Sequence, residues 1–384
     1  MARVSFLIAP DKFKGSLSAQ EAAYAMAQGV HDIFSSAHIQ TIPLADGGDG
    51  TALILQKALK ARLIRTKVSG PLGGKRVVAW GLYSSTAYLD FASAAGLHLL
   101  APHQRNPLKT TSYGVGELIK KAVDLGAKKI VLGVGGSATV DGGTGAMQAL
   151  GIRFLDLHGK DISRSGAGLL SLAQIDLTKC TWQKMGIELI LLADVVNPLL
   201  GKNGAAVLFG PQKGATPRMV QELEKGLHHF NQIIIRQYGK SVATTISGGA
   251  AGGAVAGFKG VLDCVEGVKV RVVRGIDYVL DILDVASAIK KTDWIFTGEG
   301  QLDIQTLQGK TVHGITALAC KMGKPVIAFA GRILLTPHQI QKLGLAAAFA
   351  ITPKPSISKK NFRHTARWLR NNAAAVTRSI CSNI

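Results

Sequence analysis

The chain has 384 residues, of which 47% are hydrophobic, 18% charged and 45 are glycine, with a formal charge of +21. That length exceeds one ordinary hydrophobic core and points to two domains, while the apolar content excludes a disordered chain and the clustering of the glycines excludes a collagen-like one. No apolar stretch approaches ~20 residues, which excludes an ordinary transmembrane helix, and the scattered Cys180, Cys264, Cys320 and Cys381 lack C-x-x-C spacing and suit reduced thiols in the cytoplasm.

Val4–Ala9 reads as a buried first strand, cut short by Pro10-Asp11-Lys12 and too short for a signal segment. Ser18 and Glu21 form an S-x-x-E capping box. Behind it Ala22, Ala25, Met26, Gly29, Val30 and Ile33 recur at helical spacing. Ile39–Leu44 is a second strand, followed by a helix from about Asp49 to Lys60. Lys75–Tyr83 and Thr86–Phe91 alternate and are joined by a short turn, as in an antiparallel pair. Further strands are expected at Lys129–Gly133, Ile152–Leu155 and Glu188–Ala193. The opening rhythm then returns: a strand at Trp294–Thr297, a helix face of Val312, Ile315, Ala319 and Met322, and strands at Val326–Ala330 and Ala346–Ile351. A terminal helix carries Phe362, Ala366, Leu369, Ala373 and Val376.

Alternation of strands and helices marks an α/β chain. The two ends together make a doubly wound sheet, so the first domain is discontinuous, 1–65 with 290–384, and a second domain, 66–289, is inserted in it. The most basic stretch, Lys359, Lys360, Arg363, Arg367 and Arg370, reads as a solvated surface. No run of five Lys or Arg occurs, and nucleic acid is not expected as a partner.

In open α/β sheets ligands gather beyond the carboxyl ends of the strands. There the sequence pairs carboxylates with glycine: Asp11 before Lys14 and Gly15, Asp46-Gly-Gly-Asp-Gly50, Gly133 to Gly145 with Asp141, Asp194 with Asn197, and Gly298-Glu-Gly-Gln-Leu-Asp303. Phosphoryl transfer needs this combination. Glycine lets backbone N–H groups approach phosphate, magnesium takes one or two carboxylates, and an acid can position a hydroxyl. Blander readings stand beside it. Asp46 and Asp141 could cap helices, Glu299 and Asp303 could be solvated acids in a first helical turn, and Lys310 could be a surface lysine. Gly248–Gly257 reads as a close-packing segment.

Gly309-Lys310-Thr311 resembles the end of a Walker A loop, but Ile304 stands where its first glycine belongs. Gly133-x-Gly135-x-x-Ala138 with Asp156 fits a relaxed dinucleotide fingerprint, so an NAD-dependent oxidoreductase of a small hydroxy acid is the alternative. A basic nucleic-acid-binding protein is a remoter one. Neither G-x-S-x-G nor H-E-x-x-H is present.

At seven segments in order the chain resembles the glycerate kinase type-1 family. They are Ile8-Ala-Pro-Asp-Lys-Phe-Lys-Gly-Ser-Leu-Ser18, Leu44-Ala-Asp-Gly-Gly-Asp-Gly-Thr51, Gly135-Gly-Ser-Ala-Thr-Val-Asp-Gly-Gly143, Asp194-Val-Val-Asn-Pro-Leu-Leu-Gly201, Phe209-Gly-Pro-Gln-Lys-Gly-Ala215, Gly249-Ala-Ala-Gly-Gly253, and Gly298-Glu-Gly-Gln-Leu-Asp303 through Lys310. The resemblance implies a flavodoxin-like doubly wound domain with a second, mixed-sheet α/β domain inserted, and an active site in the cleft between them. It implies transfer of the ATP γ-phosphate to D-glycerate, generally giving 2-phosphoglycerate. Lys12, Asp49, Val140 and Gln301 depart from the family's usual Ser, Glu, Asn and Arg, which bears on fine specificity.

Residue chemistry and motif position then assign roles. Asp11, Lys14, Gly47 and Gly48 are expected to hold glycerate, and Asp46 or Asp194 to orient its hydroxyl. Gly135, Gly136 and Ser137 would cradle ATP phosphates, Lys213 would neutralise developing phosphoryl charge, and Asp141 and Glu299 would serve Mg2+.

Overall fold

The computed structural model describes residues 4–307, 309–352 and 364–382. Phe362 and the basic residues Lys359, Lys360 and Arg363 lie outside the described residues. The strands are β1 Ser5–Ile8, β2 His38–Thr41, β3 Arg62–Ser69, β4 Lys75–Tyr83, β5 Thr86–Asp90, β6 Lys129–Gly133, β7 Arg153–Leu155, β8 Gln174–Asp176, β9 Ile187–Leu192, β10 Val268–Val273, β11 Trp294–Leu302, β12 Val326–Ile333 and β13 Ala347–Ala350. By packing, the residues up to Asp46 and from Ile276 onward form one unit and Gly47–Gly275 form another.

The first unit is a parallel sheet ordered β13-β12-β11-β1-β2. Counted along the chain this is the order 2-1-3-4-5, the flavodoxin-like doubly wound arrangement, whose switch point lies between β1 and β11. Apolar runs buried on both faces drive it. Phe296 stands edge-on to Phe6 and Phe329, with centroids 5.4 and 5.2 Å away. The expected capping box starts the helix Ala19–Ile33, which packs on the helix Thr365–Cys381. Close approach requires Gly29, because a Cβ there would lie 2.2 Å from the Arg370 carbonyl oxygen. Arg370 then clamps the pair through Asp32 at 2.6 Å.

β11 continues five residues beyond the Thr297 end expected from the sequence. Its ladder with β12 runs on through Glu299 opposite Ala330 and Gln301 opposite Arg332. Glycines at 298 and 300 interrupt the apolar signal without interrupting the pairing: at Gly298 a Cβ would strike the Phe329 carbonyl at 2.2 Å. Glu299 therefore sits within a strand, not in a loop or a first helical turn.

The second unit holds a sheet ordered β10-β9-β6-β5-β4-β3, parallel from β10 to β5 and antiparallel at β4 and β3. β3 was not expected; its Arg62, Leu63, Arg65 and Lys67 are exposed, and the basic residues among them hide the apolar signal. It pairs along its length with β4, and the helix Thr51–Ala58 packs on β4 and β5. At the other end Gly314 packs against Ile276. The packing boundaries thus fall at 46/47 and 275/276, where the sequence reading had 65/66 and 289/290. The strand expected at Ile152–Leu155 is β7, which pairs with β8 in a separate two-stranded sheet. Trp80, Phe91, Phe154, Trp182, Phe230 and Phe258 fill this unit's core.

Candidate active site

In the first unit the switch point sets the chemistry. β1 delivers Asp11, 6% exposed, and β11 delivers Glu299, 8% exposed. The Asp11 N–H donates to the Gly298 carbonyl at 2.8 Å, so the sheet itself fixes the turn. One Asp11 oxygen accepts from Thr311 Oγ1 at 2.5 Å, the other from the Lys12 N–H at 2.6 Å. Glu299 Oε1 accepts from Thr306 Oγ1 at 2.7 Å. Burying charge near charge has a cost: burial first, and Asp46 second, pushes Asp11 up to about 7. Burial raises Glu299 to about 8, with Asp11 and Asp46 adding to it and Thr306 and Lys310 opposing. Asp11, Asp46 and Glu299 thus share one field of negative charge.

Their surroundings sort the remaining acids. Asp303 Oδ1 accepts from the N–H groups of Gln305 and Thr306, and Oδ2 from Gln301 Nε2, so Asp303 does turn-capping work. Lys310 Nζ donates to Gln305 Oε1 at 2.7 Å. Lys14 is exposed, and its backbone runs beside β11, where a Cβ on Gly300 would lie 3.1 Å from its nitrogen.

In the second unit the glycine turns pack on each other. Gly135 N–H donates to the Gly47 carbonyl at 3.2 Å, and a Cβ on Gly135 would sit 2.7 Å from Gly48 Cα. The turns expected to hold glycerate and phosphate are therefore adjacent. Asp90, at the end of β5, accepts from the N–H groups of Gly50 and Ala52 at 2.9 and 3.0 Å and fixes this contact. Sequence reasoning missed Asp90, although it ends an expected strand as the other acids do.

Lys213 is 3% exposed. Its Nζ donates to Ser137 Oγ at 2.9 Å and to the Thr139 carbonyl at 2.8 Å, tying the glycine-rich loop from beneath. Burial brings its pKa down to about 7, against the pull of Asp141. Against the same Thr139 carbonyl lies the turn Gly249–Gly253. Ala251 adopts φ 51 and Gly252 φ 66, and a Cβ on Gly252 would strike the Thr139 carbonyl at 1.9 Å. Close packing is indeed this segment's task.

Asp141 is fully buried and its pKa is raised by burial. Its oxygens accept from the Ser112 N–H at 2.8 Å, Ser112 Oγ at 2.7 Å and the Gly143 N–H at 3.2 Å. It is not the N-cap of the helix Thr144–Ala149, which is Gly143; it joins the loop to the start of the helix Tyr113–Asp124. Asp194 follows β9 and is half-buried. Asp156 binds the N–H groups of His158 and Lys160 at 2.8 and 2.9 Å, and the helix after β6 starts only at Thr144. The dinucleotide fingerprint needs that helix to open within its glycines, so the local fold does not supply the alternative reading.

Among the described residues no three or more His, Cys, Asp or Glu side chains gather to hold a metal ion. Magnesium asks for less, one or two carboxylates with phosphate oxygens and water. Burial raises both Asp11 and Glu299, with Asp46 adding to each; a bound cation offsets that penalty on the charged forms, so this pair fits the ion. Asp141, already engaged by three donors, fits it less well.

Carboxylates at a doubly wound switch point, with a glycine loop tied down by a buried ammonium, belong to α/β enzymes that handle phosphate. The sequence profile of the glycerate kinase family matches residues 6–381, and the chain belongs to that family. It is 43% identical to a glycerate kinase of Haemophilus influenzae over 91% of both chains. It is 37% identical to the glycerate 2-kinase of Escherichia coli, covering 97% of this chain and 98% of that one. A crystal structure of a Salmonella typhimurium LT2 protein, provisionally named glycerate kinase 2, superposes with a TM-score of 0.82 at 39% identity, over 99% of both chains. Among the described residues no helix is long and apolar enough to cross a membrane.

Proposed function

We propose that this chain phosphorylates D-glycerate with ATP and Mg2+, giving 2-phospho-D-glycerate and ADP. The observation that carries the reading is the buried pair Asp11 and Glu299 at the switch point, both held near neutrality and poised to accept a cation or a proton. The 2-position follows the name of the Escherichia coli relative.

The glycerate hydroxyl oxygen attacks the γ-phosphorus, the bond to the β-phosphate oxygen breaks, and ADP leaves. Asp46 or Asp194 orients the hydroxyl and takes its proton. Lys14 and the turn Gly47–Gly48 hold the glycerate carboxylate. Gly136 and Ser137 donate to ATP phosphates, Gly135 holds the loop against Gly47, and Lys213 keeps Ser137 in place. Bound at Glu299 and Asp11, Mg2+ would neutralise developing phosphate charge. Asp141 holds the loop. Acting on small molecules in the cytoplasm, the enzyme needs no nucleic-acid or membrane partner on this reading.

A coupled assay of ADP release with Mg2+ and D-glycerate tests the reaction, and phosphorus NMR reads the product. Glycerate-dependent turnover with a 2-phosphate product is expected. A folded sample that releases no ADP on glycerate overturns the reaction, and a 3-phosphate product overturns the position.

A further inference from the structure

The loop Gly135–Thr139 is stitched to the segment 95–110. Gly136 accepts from the Leu97 N–H at 2.9 Å, the Ala138 N–H donates to Ala95 at 2.8 Å, and Thr110 Oγ1 donates to the Ala138 carbonyl at 2.9 Å. Arg105 lies in that segment, at the end of the short turn Pro102–Gln104. It also abuts the lysine turn, where a Cβ on Gly214 would lie 2.8 Å from Arg105 Cβ and 2.4 Å from its carbonyl oxygen. Gly214 follows Lys213, whose ammonium reaches Ser137 and Thr139. Arg105 therefore abuts the lysine turn directly and belongs to the segment stitched to the loop.

Its guanidinium has an unusual status. Arg105 is half-buried and its Nε is fully buried, yet among the described residues no acceptor meets it. A buried guanidinium donor without an acceptor is costly, and a bound anion is a partner that would satisfy it. Asp141, whose charge reaches Lys213, spends its oxygens on Ser112 and Gly143. Lys213 bonds only neutral oxygens. Among the described residues no carboxylate bonds Lys213 or Arg105 beside this loop, a setting that favours a multiply charged anion.

We propose that Arg105 binds the terminal phosphates of the nucleotide, as the cation that completes the cradle Gly135–Ser137. This rests on the kinase reading for the identity of the anion, and on geometry alone for the anion site. Arginine offers a planar pair of donors to phosphate oxygens where lysine offers a point charge, so the two are not interchangeable here.

The test is calorimetric titration of the full chain with inorganic tripolyphosphate, ATP and adenosine, comparing the parent with Arg105→Met and Arg105→Lys. Loss of charge-assisted hydrogen bonds should weaken tripolyphosphate and ATP by roughly ten- to a hundredfold in R105M. Adenosine affinity and the KM for glycerate should stay within about twofold, since the contact is to phosphate only. R105K should lie between. A folded R105M that binds tripolyphosphate as the parent does overturns the proposal, as does a rise confined to the glycerate KM. Should R105M unfold, R105K decides: weaker tripolyphosphate binding at the parental Tm supports the contact, and parental affinity overturns it. A parent that binds tripolyphosphate through Arg105 but never turns over glycerate overturns the kinase reading and leaves the anion site standing.

Discussion

Glu299→Gln should stabilise the unliganded protein at alkaline pH while destroying its activity. Gln keeps an oxygen for the Thr306 hydroxyl, now 2.7 Å from Glu299, and removes a charge that folding buries. Burial, reinforced by Asp11 and Asp46, moves the Glu299 carboxyl from its ordinary 4.5 to about 8. A raised carboxyl pKa means that the folded state binds the proton more tightly than the unfolded one. Its destabilising contribution is therefore absent below about pH 4, grows as pH rises, and is complete above about pH 8. At 1.36 kcal/mol per pH unit, the full cost is on the order of 5 kcal/mol. Urea unfolding of parent and E299Q at pH 5 and pH 8.5 checks this. The variant should gain about 4 kcal/mol more, relative to the parent, at the higher pH. A difference between the two proteins that does not change with pH would refute the argument.

Lys213→Met should raise the ATP KM roughly tenfold by freeing Ser137. Because burial lowers the Lys213 pKa to about 7, the parent's ATP KM should climb as pH rises through that value and the ammonium is lost. The variant's KM should lack that step, and steady-state kinetics between pH 6 and 9 read both. Gly252→Ala forces a Cβ into the Thr139 carbonyl at positive φ and should cost about 3 kcal/mol of stability by denaturant titration. Asp194→Ala should cut kcat ~100-fold or more with little change in Tm; near-parental turnover removes it from the reaction.

Much of this was readable because the strands β1, β4, β5, β6 and β12 are short apolar runs bounded by turn residues, and the turns after β1, β2 and β6 carry a carboxylate with glycine. The strand character of Glu299 was hidden by Gly298 and Gly300, which weaken the apolar signal while suiting the close ladder with β12. β3 escaped because a basic, partly exposed edge lacks the alternation that marks a half-buried strand. The division of labour among the acids was out of reach for a different reason. Asp141 and Glu299 stand in similar glycine contexts, yet one is enclosed by Ser112 and the other by Thr306, and both partners are fixed only by tertiary packing. Arg105 had no local signal, since its meaning depends on the acceptor it lacks.

The parallel neighbours β1 and β11 also bear on how the chain emerges from the ribosome. Thr297 Oγ1 donates to the Ala9 carbonyl across 288 residues. At 5–20 residues per second, roughly 15–60 s of synthesis separate the two halves of that contact. Throughout this interval β1 and its apolar neighbours have β2 on one flank and nothing on the other, while Gly47–Gly275 leaves the tunnel whole and can close its own core. The inserted segment is thus free to fold first during translation, and the nascent strand that will carry Asp11 is the part of the molecule most in need of a holding chaperone.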